Sequence, residues 1–398
     1  MNDLASELSE RLNRIREDGL YRELRRIDSP QSAHIEINGK PLLNFSSNDY
    51  LGLANHPILK EASIKAVERY GAGSGASRLI CGSLAPHCEL EQALANFKGT
   101  EAALSFSSGY AAAVGTICAL LGKDDVIVLD KLVHASIVDA ARLSGAKLRV
   151  FAHNDLNELE AILRWASERN STSTAIPHPH TLIVTESIFS MDGDFAPLRE
   201  IVELKEKYGA WLMVDEAHAT GLFGPHRRGL AEELDVSNHV EIQMGTLGKA
   251  LGSSGGYICG ARVLIDYLIN RARSFIFSTA SVPAAAATST ASIALVQSNE
   301  GQQRCQRLWN LVDQIKDGLG KSGWELSPTG SAIIPLIIGD EAKAVHTATT
   351  LRERGFYIPA IRYPTVARGS ARLRLTTTAA HTSEDITKLL SALLPGNF

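Results

Sequence analysis

The stretch Val240-Glu241-Ile242-Gln243-Met244-Gly245-Thr246-Leu247-Gly248-Lys249-Ala250-Leu251-Gly252 reads as a strand that runs into a glycine-rich turn presenting one lysine. Small neighbours on both sides of Lys249 leave room for a bulky group beside its amine. A lysine amine becomes useful when a site lowers its pKa and lets it form a Schiff base. Viewed alone, Lys249 reads as a solvated surface residue, because most lysines are exposed. The residues upstream change that reading.

Between residues 100 and 260 the hydrophobic pattern alternates. Strands are expected over 102–107, 125–130, 148–152, 181–186, 211–215, 240–244 and 256–259. Helices are expected over 110–121, 134–143, 155–168 and 197–208. Val126-Ile127-Val128-Leu129 and Leu182-Ile183-Val184 are apolar at every position. Strands covered on both faces have that character, so the pattern implies a large, mainly parallel sheet wrapped by helices. In such sheets ligands bind beyond the carboxyl ends of the strands.

Outside this region the spacing is helical over 2–26 (Leu4, Leu8, Leu12, Ile15, Leu20, Leu24), over 56–70 and over 86–97. Asn38-Gly39 marks a turn between two short strands. Gly71 to Gly82 is glycine-rich but follows no strand. It therefore fails the context test for a dinucleotide fingerprint and reads as flexible backbone lining a site. One long helix is expected over 284–321, then an α+β pattern with strands at 333–338, 357–361 and 371–376. The expected fold class is α/β, with a smaller α+β C-terminal domain. Residues 1–50 carry the leading helix and a small-domain segment, 51–285 the large domain, and 286–398 the C-terminal domain.

Composition excludes several classes. A net charge of 40 − 44 = −4 gives no basic field for nucleic acid. The segment Met1-Asn2-Asp3-Leu4-Ala5-Ser6-Glu7 carries acids and no apolar run, unlike a secretory signal. The most apolar stretch, 282–296, is too short and too rich in Ser and Thr to span a bilayer, so no membrane is expected. Five widely spaced cysteines form no Cys-x-x-Cys pair and no zinc pattern, and read as buried free thiols in a reducing cytoplasm. The tract 170–180, with His178 and His180, reads as a solvated polar loop rather than a metal site.

The chemistry sits at the strand ends. Asp215 closes the apolar run Trp211-Leu212-Met213-Val214, where a carboxylate is costly without a cationic partner. An ordinary buried ion pair would account for it. Yet Lys249 follows a later strand, and both belong to one rim of the sheet. A Schiff-base lysine with an aspartate facing a ring nitrogen is the pyridoxal 5′-phosphate (PLP) arrangement. His218, three residues on, is placed to reach the ring's phenolic oxygen. Ser107-Ser108-Gly109-Tyr110 joins a strand to a helix of small residues, which suits a phosphate or is simply a capped turn. Thr246 adds a hydroxyl. His134 either caps a helix or stacks on the ring, and Ser190 lies just past another strand.

Taken together, the motifs 44–53 (Asn-Phe-Ser-Ser-Asn-Asp-Tyr-Leu-Gly-Leu), 73–78 (Gly-Ser-Gly-Ala-Ser-Arg), 108–110 (Ser-Gly-Tyr), 189–194 (Phe-Ser-Met-Asp-Gly-Asp), 214–218 (Val-Asp-Glu-Ala-His) and 246–250 (Thr-Leu-Gly-Lys-Ala) resemble, in this order, the α-oxoamine synthase family of fold-type I PLP enzymes. The resemblance implies that Lys249 carries the cofactor and removes a substrate proton, and that Asp215 pairs with the ring nitrogen. It implies that His218 and Ser190 contact the ring oxygen region, that His134 stacks on the ring, and that Gly109, Tyr110 and Thr246 serve the phosphate. Ser278 and Thr279 match positions that reach a neighbouring subunit's phosphate, which implies a homodimer. Arg374 matches an arginine that holds the amino-acid carboxylate, and Arg22, Asn48 and Thr365 match substrate-side positions. Segments 151–155, 211–218, 360–366 and 371–376 look most like the branch that joins L-alanine to a pimeloyl thioester, on coenzyme A or an acyl carrier protein, in biotin synthesis. Relatives using glycine or serine share the core motifs. A non-catalytic binding protein would be expected to lack Lys249 or Asp215.

Overall fold

The computed structural model describes residues 3–171, 178–327 and 329–394. Residues 172–177 of the polar tract anticipated over 170–180 lie outside the described residues. Two compact units are drawn from Met1–Ser47, Leu311–Ser327 and Ala332–Phe398, and from Asn48–Asn310 and Pro328–Ser331. The division falls at 310/311, inside a helix, whereas composition suggests a change near residue 285.

The first unit opens with the helix Leu4–Glu17, which stops well short of residue 26. Gly19 adopts φ +67, and Leu20 N–H returns to Ile15 O at 2.9 Å, closing the helix end with the bond of a left-handed C-cap. Strands β1 (His34–Ile37) and β2 (Lys40–Asn44) then form a hairpin. Asn38 and Gly39 both take positive φ, as a two-residue loop of this twist requires.

The second unit holds a seven-stranded sheet of β3 (Ala102–Phe106), β4 (Val126–Asp130), β5 (Lys147–Phe151), β6 (Thr181–Glu186), β7 (Trp211–Asp215), β8 (Ile242–Thr246) and β9 (Gly256–Gly260), in the order β3-β9-β8-β7-β6-β4-β5. Only the pairs involving β9 are antiparallel. β3, β4, β6 and β9 are buried at every position, the state their apolar runs anticipate. In register, Glu186 stands beside Asp215 and Asp215 beside Met244. Asp130, Glu186 and Asp215 therefore all arrive at one rim.

The helix anticipated over 284–321 is two helices, Pro283–Gln297 and Asn299–Lys321. Ser298 breaks it by taking extended backbone (ψ 173) and accepting Gly301 N–H on its Oγ at 3.3 Å. The glycine-rich loop is partly ordered, with a π-helical turn over Arg78–Gly82.

Back in the first unit, β10 (Ile333–Gly339), β11 (Phe356–Tyr357), β12 (Ala360–Ile361) and β13 (Ala371–Thr376) complete two small sheets, β1-β2-β11 and β10-β13-β12. The single strand expected over 357–361 is thus split between them. Pro359, which has no N–H to donate, lies at the break. Among the cysteines, Cys81 and Cys88 are exposed rather than buried, because the π-helical turn and the next helix face outward there, and all five are free. No helix among the described residues is long and apolar enough to cross a membrane.

Candidate active site

Asp215 is 6% exposed, and its Oδ1 accepts the Ala217 N–H at 2.9 Å. Burial pushes its carboxyl above the usual range, while Lys249, the Ala217 N–H and His134 pull it back. The Asp215 carboxyl thus feels the charges of both Lys249 and His134.

Lys249 follows β8 in a closed turn. Leu247 N–H meets Gly255 O at 2.9 Å, Ser253 N–H meets Leu247 O at 2.9 Å, and Gly252 N–H meets Lys249 O at 2.8 Å. Gly252 has φ +59, and a Cβ there would sit 2.6 Å from Ala54 N, so only glycine fits. Lys249 Nζ lies 2.8 Å from His218 Nε2, and His218 Nδ1 lies 2.7 Å from the Tyr50 hydroxyl. Tyr50 in turn donates to Asn48 Oδ1 at 3.3 Å. Tyr50 donates to Asn48, so its oxygen is left to accept from His218 Nδ1–H, while the donor on the Lys249–Nε2 link depends on how the two groups are protonated.

His134 opens the helix Ala135–Ser144 as its N-cap, with Nδ1 accepting Ser136 N–H at 3.2 Å. It therefore caps the helix through Nδ1, a role compatible with stacking by the face of its ring. Although the residue borders solvent, burial of the ring lowers its pKa; Asp215 opposes this and Lys249 adds to it. Ser190 is half-buried in a tight loop, in which Phe189 N–H meets Asp194 O at 3.1 Å and Gly193 N–H meets Phe189 O at 2.8 Å.

Glu186 is a site residue that the sequence reading passed over. It is 2% exposed, and its Oε1 has no hydrogen-bond partner among the described residues. Burial and the charge of Asp215 push its carboxyl up to about 8, against Lys249 and the backbone N–H groups of His134 and Ser190. Glu186 thus touches the segments that carry three anticipated site residues. The signal was present: it closes an apolar strand, as Asp215 does. Tyr50 was also passed over, since an aromatic residue in a polar loop reads as an anchor.

A cradle for an anion lies alongside. Ser108 caps the helix Gly109–Leu120, its Oγ accepting Ala111 N–H at 3.1 Å. The first turn of such a helix leaves N–H groups without partners in the helix. Gly109 backs onto Thr246, and a Cβ at 109 would lie 2.7 Å from Thr246 Cγ2. Thr246 Oγ1 is buried with no hydrogen-bond partner among the described residues. An orphaned hydroxyl beside a helix N-terminus fits the phosphate of PLP, and Asp215 and Lys249 fit its ring nitrogen and aldehyde. Tyr110 donates its hydroxyl to Asp139 Oδ2 at 2.9 Å, so its backbone N–H is what it offers an anion.

The other anticipated residues lie elsewhere. Ser278 and Thr279 line a narrow cleft with Arg78 and Ser107, and Thr279 bridges to Ser77. Arg22, Thr365 and Arg374 belong to the first unit: Arg22 and Thr365 are exposed, and Arg374 is buried in β13 opposite Pro335. A cavity of about 960 Å³, lined by Trp211, His180, Glu241 and Tyr267 among others, opens at the opposite rim of the large sheet and contains none of the anticipated residues. There His180 stacks on Trp211 (ring centroids 4.2 Å apart), so its ring is packed on one face rather than fully solvated.

Residues 40–393 match the family model described as aminotransferase class I and II. The chain is 47% identical over 384 residues to the 8-amino-7-oxononanoate synthase of Geotalea daltonii, covering 96% of each. A serine palmitoyltransferase variant from S. paucimobilis with bound PLP superposes with a TM-score of 0.89 at 30% identity, over 98% of this chain and 97% of that one. The 8-amino-7-oxononanoate synthase of Francisella tularensis superposes with a TM-score of 0.74 at 27% identity, over 88% and 96%. The chain belongs to the aminotransferase class I and II family, in its PLP-dependent α-oxoamine synthase branch.

Proposed function

We propose that this chain catalyses the 8-amino-7-oxononanoate synthase reaction, the decarboxylative condensation of L-alanine with a pimeloyl thioester. The observation that carries the reading is 47% identity to such an enzyme along 96% of both chains. The gathering of Lys249, Asp215, His218 and His134 at one rim supports it. The bond formed joins the alanine Cα to the thioester carbonyl carbon. The bonds broken release the thiol and the alanine carboxylate as carbon dioxide.

When bound, PLP supplies an electron sink for the charge left as a Cα bond breaks. Asp215 is the carboxylate that keeps a proton on the ring nitrogen. Gly109, Tyr110 and Thr246 hold the phosphate, and His218 and Ser190 hold the ring oxygen. Lys249 would hold the cofactor through Nζ, and the same amine would accept the alanine Cα proton. His134 would stack on the ring and present to the thioester carbonyl an imidazole whose neutral form is favoured, because burial lowers its pKa. Arg374 grips the alanine carboxylate as a two-pronged donor, with Arg22, Asn48 and Thr365 on the substrate side.

The exposed stripe Leu4, Leu8, Leu12 and Ile15 and the cleft at Ser278 and Thr279 favour a homodimer. Five free cysteines favour the cytoplasm. A second reading, an acyl transfer to serine or glycine, is favoured by the likeness to serine palmitoyltransferase. A panel of alanine, glycine and serine against pimeloyl, acetyl, succinyl and palmitoyl thioesters decides. Alanine with pimeloyl thioester is expected to give kcat/KM at least tenfold above any other pair. A higher value for serine or glycine would replace the proposal with the second reading.

A further inference from the structure

Three strand ends next to the site are tied together by one imidazole that the reaction itself does not use. His153 Nδ1 meets Asp130 Oδ1 at 3.0 Å, and Nε2 meets Asp194 Oδ2 at 2.7 Å. Asp130 closes β4 and is 1% exposed; its Oδ1 also accepts Leu132 N–H at 2.8 Å, and its Oδ2 accepts Asn154 N–H at 2.9 Å. Asp194 closes the loop that carries Ser190, its carbonyl accepting Phe189 N–H. The His153 ring stands edge-on to Phe189, with centroids 4.4 Å apart. Asn154, held at φ +57, donates to Phe195 O at 3.0 Å.

The segment leading from Asp130 to His134 and the loop 187–196 are therefore clasped from either side by residues 153 and 154. A cation between two carboxylates removes the repulsion that would otherwise part these segments. We infer that His153 is a positioning residue: its doubly bonded imidazolium clamps the His134 turn to the Ser190 loop and so presets the walls of the cofactor site. The inference rests on the proposed PLP site, but its geometry is independent of which substrates are used.

The charged groups facing His153 are Asp130 from β4 and Asp194 from the loop after β6. Burial alone would lower the imidazole pKa, but the hydrogen bonds and charges of these two carboxylates carry it up to about 10. The sign follows: the clamp is complete through neutral pH and loosens only as pH rises toward that value. Removing one carboxylate brings the loosening to lower pH.

The test uses the full-length protein loaded with PLP, with hydrogen–deuterium exchange and cofactor retention as readouts. His153→Phe keeps the ring against Phe189 but neither hydrogen bond. Peptides spanning 131–135 and 187–196 are expected to exchange at least tenfold faster, with 211–215 and 242–246 unchanged. The PLP dissociation constant is expected to rise about tenfold. Asp194→Asn, at a partly exposed position, guards against a variant that fails to fold. Its PLP retention should fall between pH 7 and 9.5, where the parent stays level. Unchanged exchange in both peptides, an even rise along the whole chain, or parent-like retention across that pH range would each overturn the clamp.

Discussion

Lys249 Nζ and His218 Nε2 lie 2.8 Å apart, and His218 turns its other nitrogen to Tyr50. The amine that the proposed chemistry depends on is therefore aimed by a histidine that is itself aimed by a phenol. Tyr50 is 1% exposed, so its hydroxyl has no water to replace a lost partner. Tyr50→Phe should leave the fold intact and lower kcat about tenfold, with KM for L-alanine changed less than threefold. Steady-state kinetics with both substrates varied checks this.

Thr246 separates cofactor binding from stability. Its buried hydroxyl has no partner among the described residues, and leaving such a group unsatisfied costs roughly 1–3 kcal/mol. Thr246→Val removes that cost with little change of shape. The cofactor-free protein should then melt at the same temperature or higher, while the PLP dissociation constant rises about tenfold. Thermal scans with and without PLP give both quantities.

Glu186 predicts a pH dependence. Its carboxyl is pushed up to about 8 by burial and by Asp215. An acid whose folded pKa is raised binds its proton more tightly when folded, so it makes stability fall as pH rises from about 4.5 to about 8. Glu186→Gln should flatten that slope in the cofactor-free protein. Urea midpoints across this pH range, compared with the parent, measure the difference.

Burial lowers the pKa of His134, which favours its neutral imidazole. His134→Phe keeps a flat ring for stacking but no N–H for the thioester. It should retain PLP within about threefold and lose roughly 10²-fold in kcat, in line with general acid–base contributions. Absorbance titration of PLP and single-turnover rates separate the two.

Much of this site was legible in the chain. Apolar runs such as Val126–Leu129 revealed strands covered on both faces, and a carboxylate ending one of them located Asp215. The same logic, applied evenly, would have flagged Asp130 and Glu186, which also close apolar strands. His153 was not recoverable this way, because its partners lie 23 and 41 residues away and meet it only through sheet order. The break at Ser298 was hidden because both flanking segments share helical character and one extended residue interrupts them. Gly19, by contrast, was a visible stop signal that the leucine spacing past it obscured.

The most direct test asks which residue the cofactor joins. The PLP-loaded protein is reduced with borohydride to fix any amine–cofactor bond, digested and mapped by mass spectrometry. The account predicts one modified peptide, containing Lys249, and none from Lys249→Ala. Cofactor fixed to a different lysine, or none fixed in the parent protein, would contradict it.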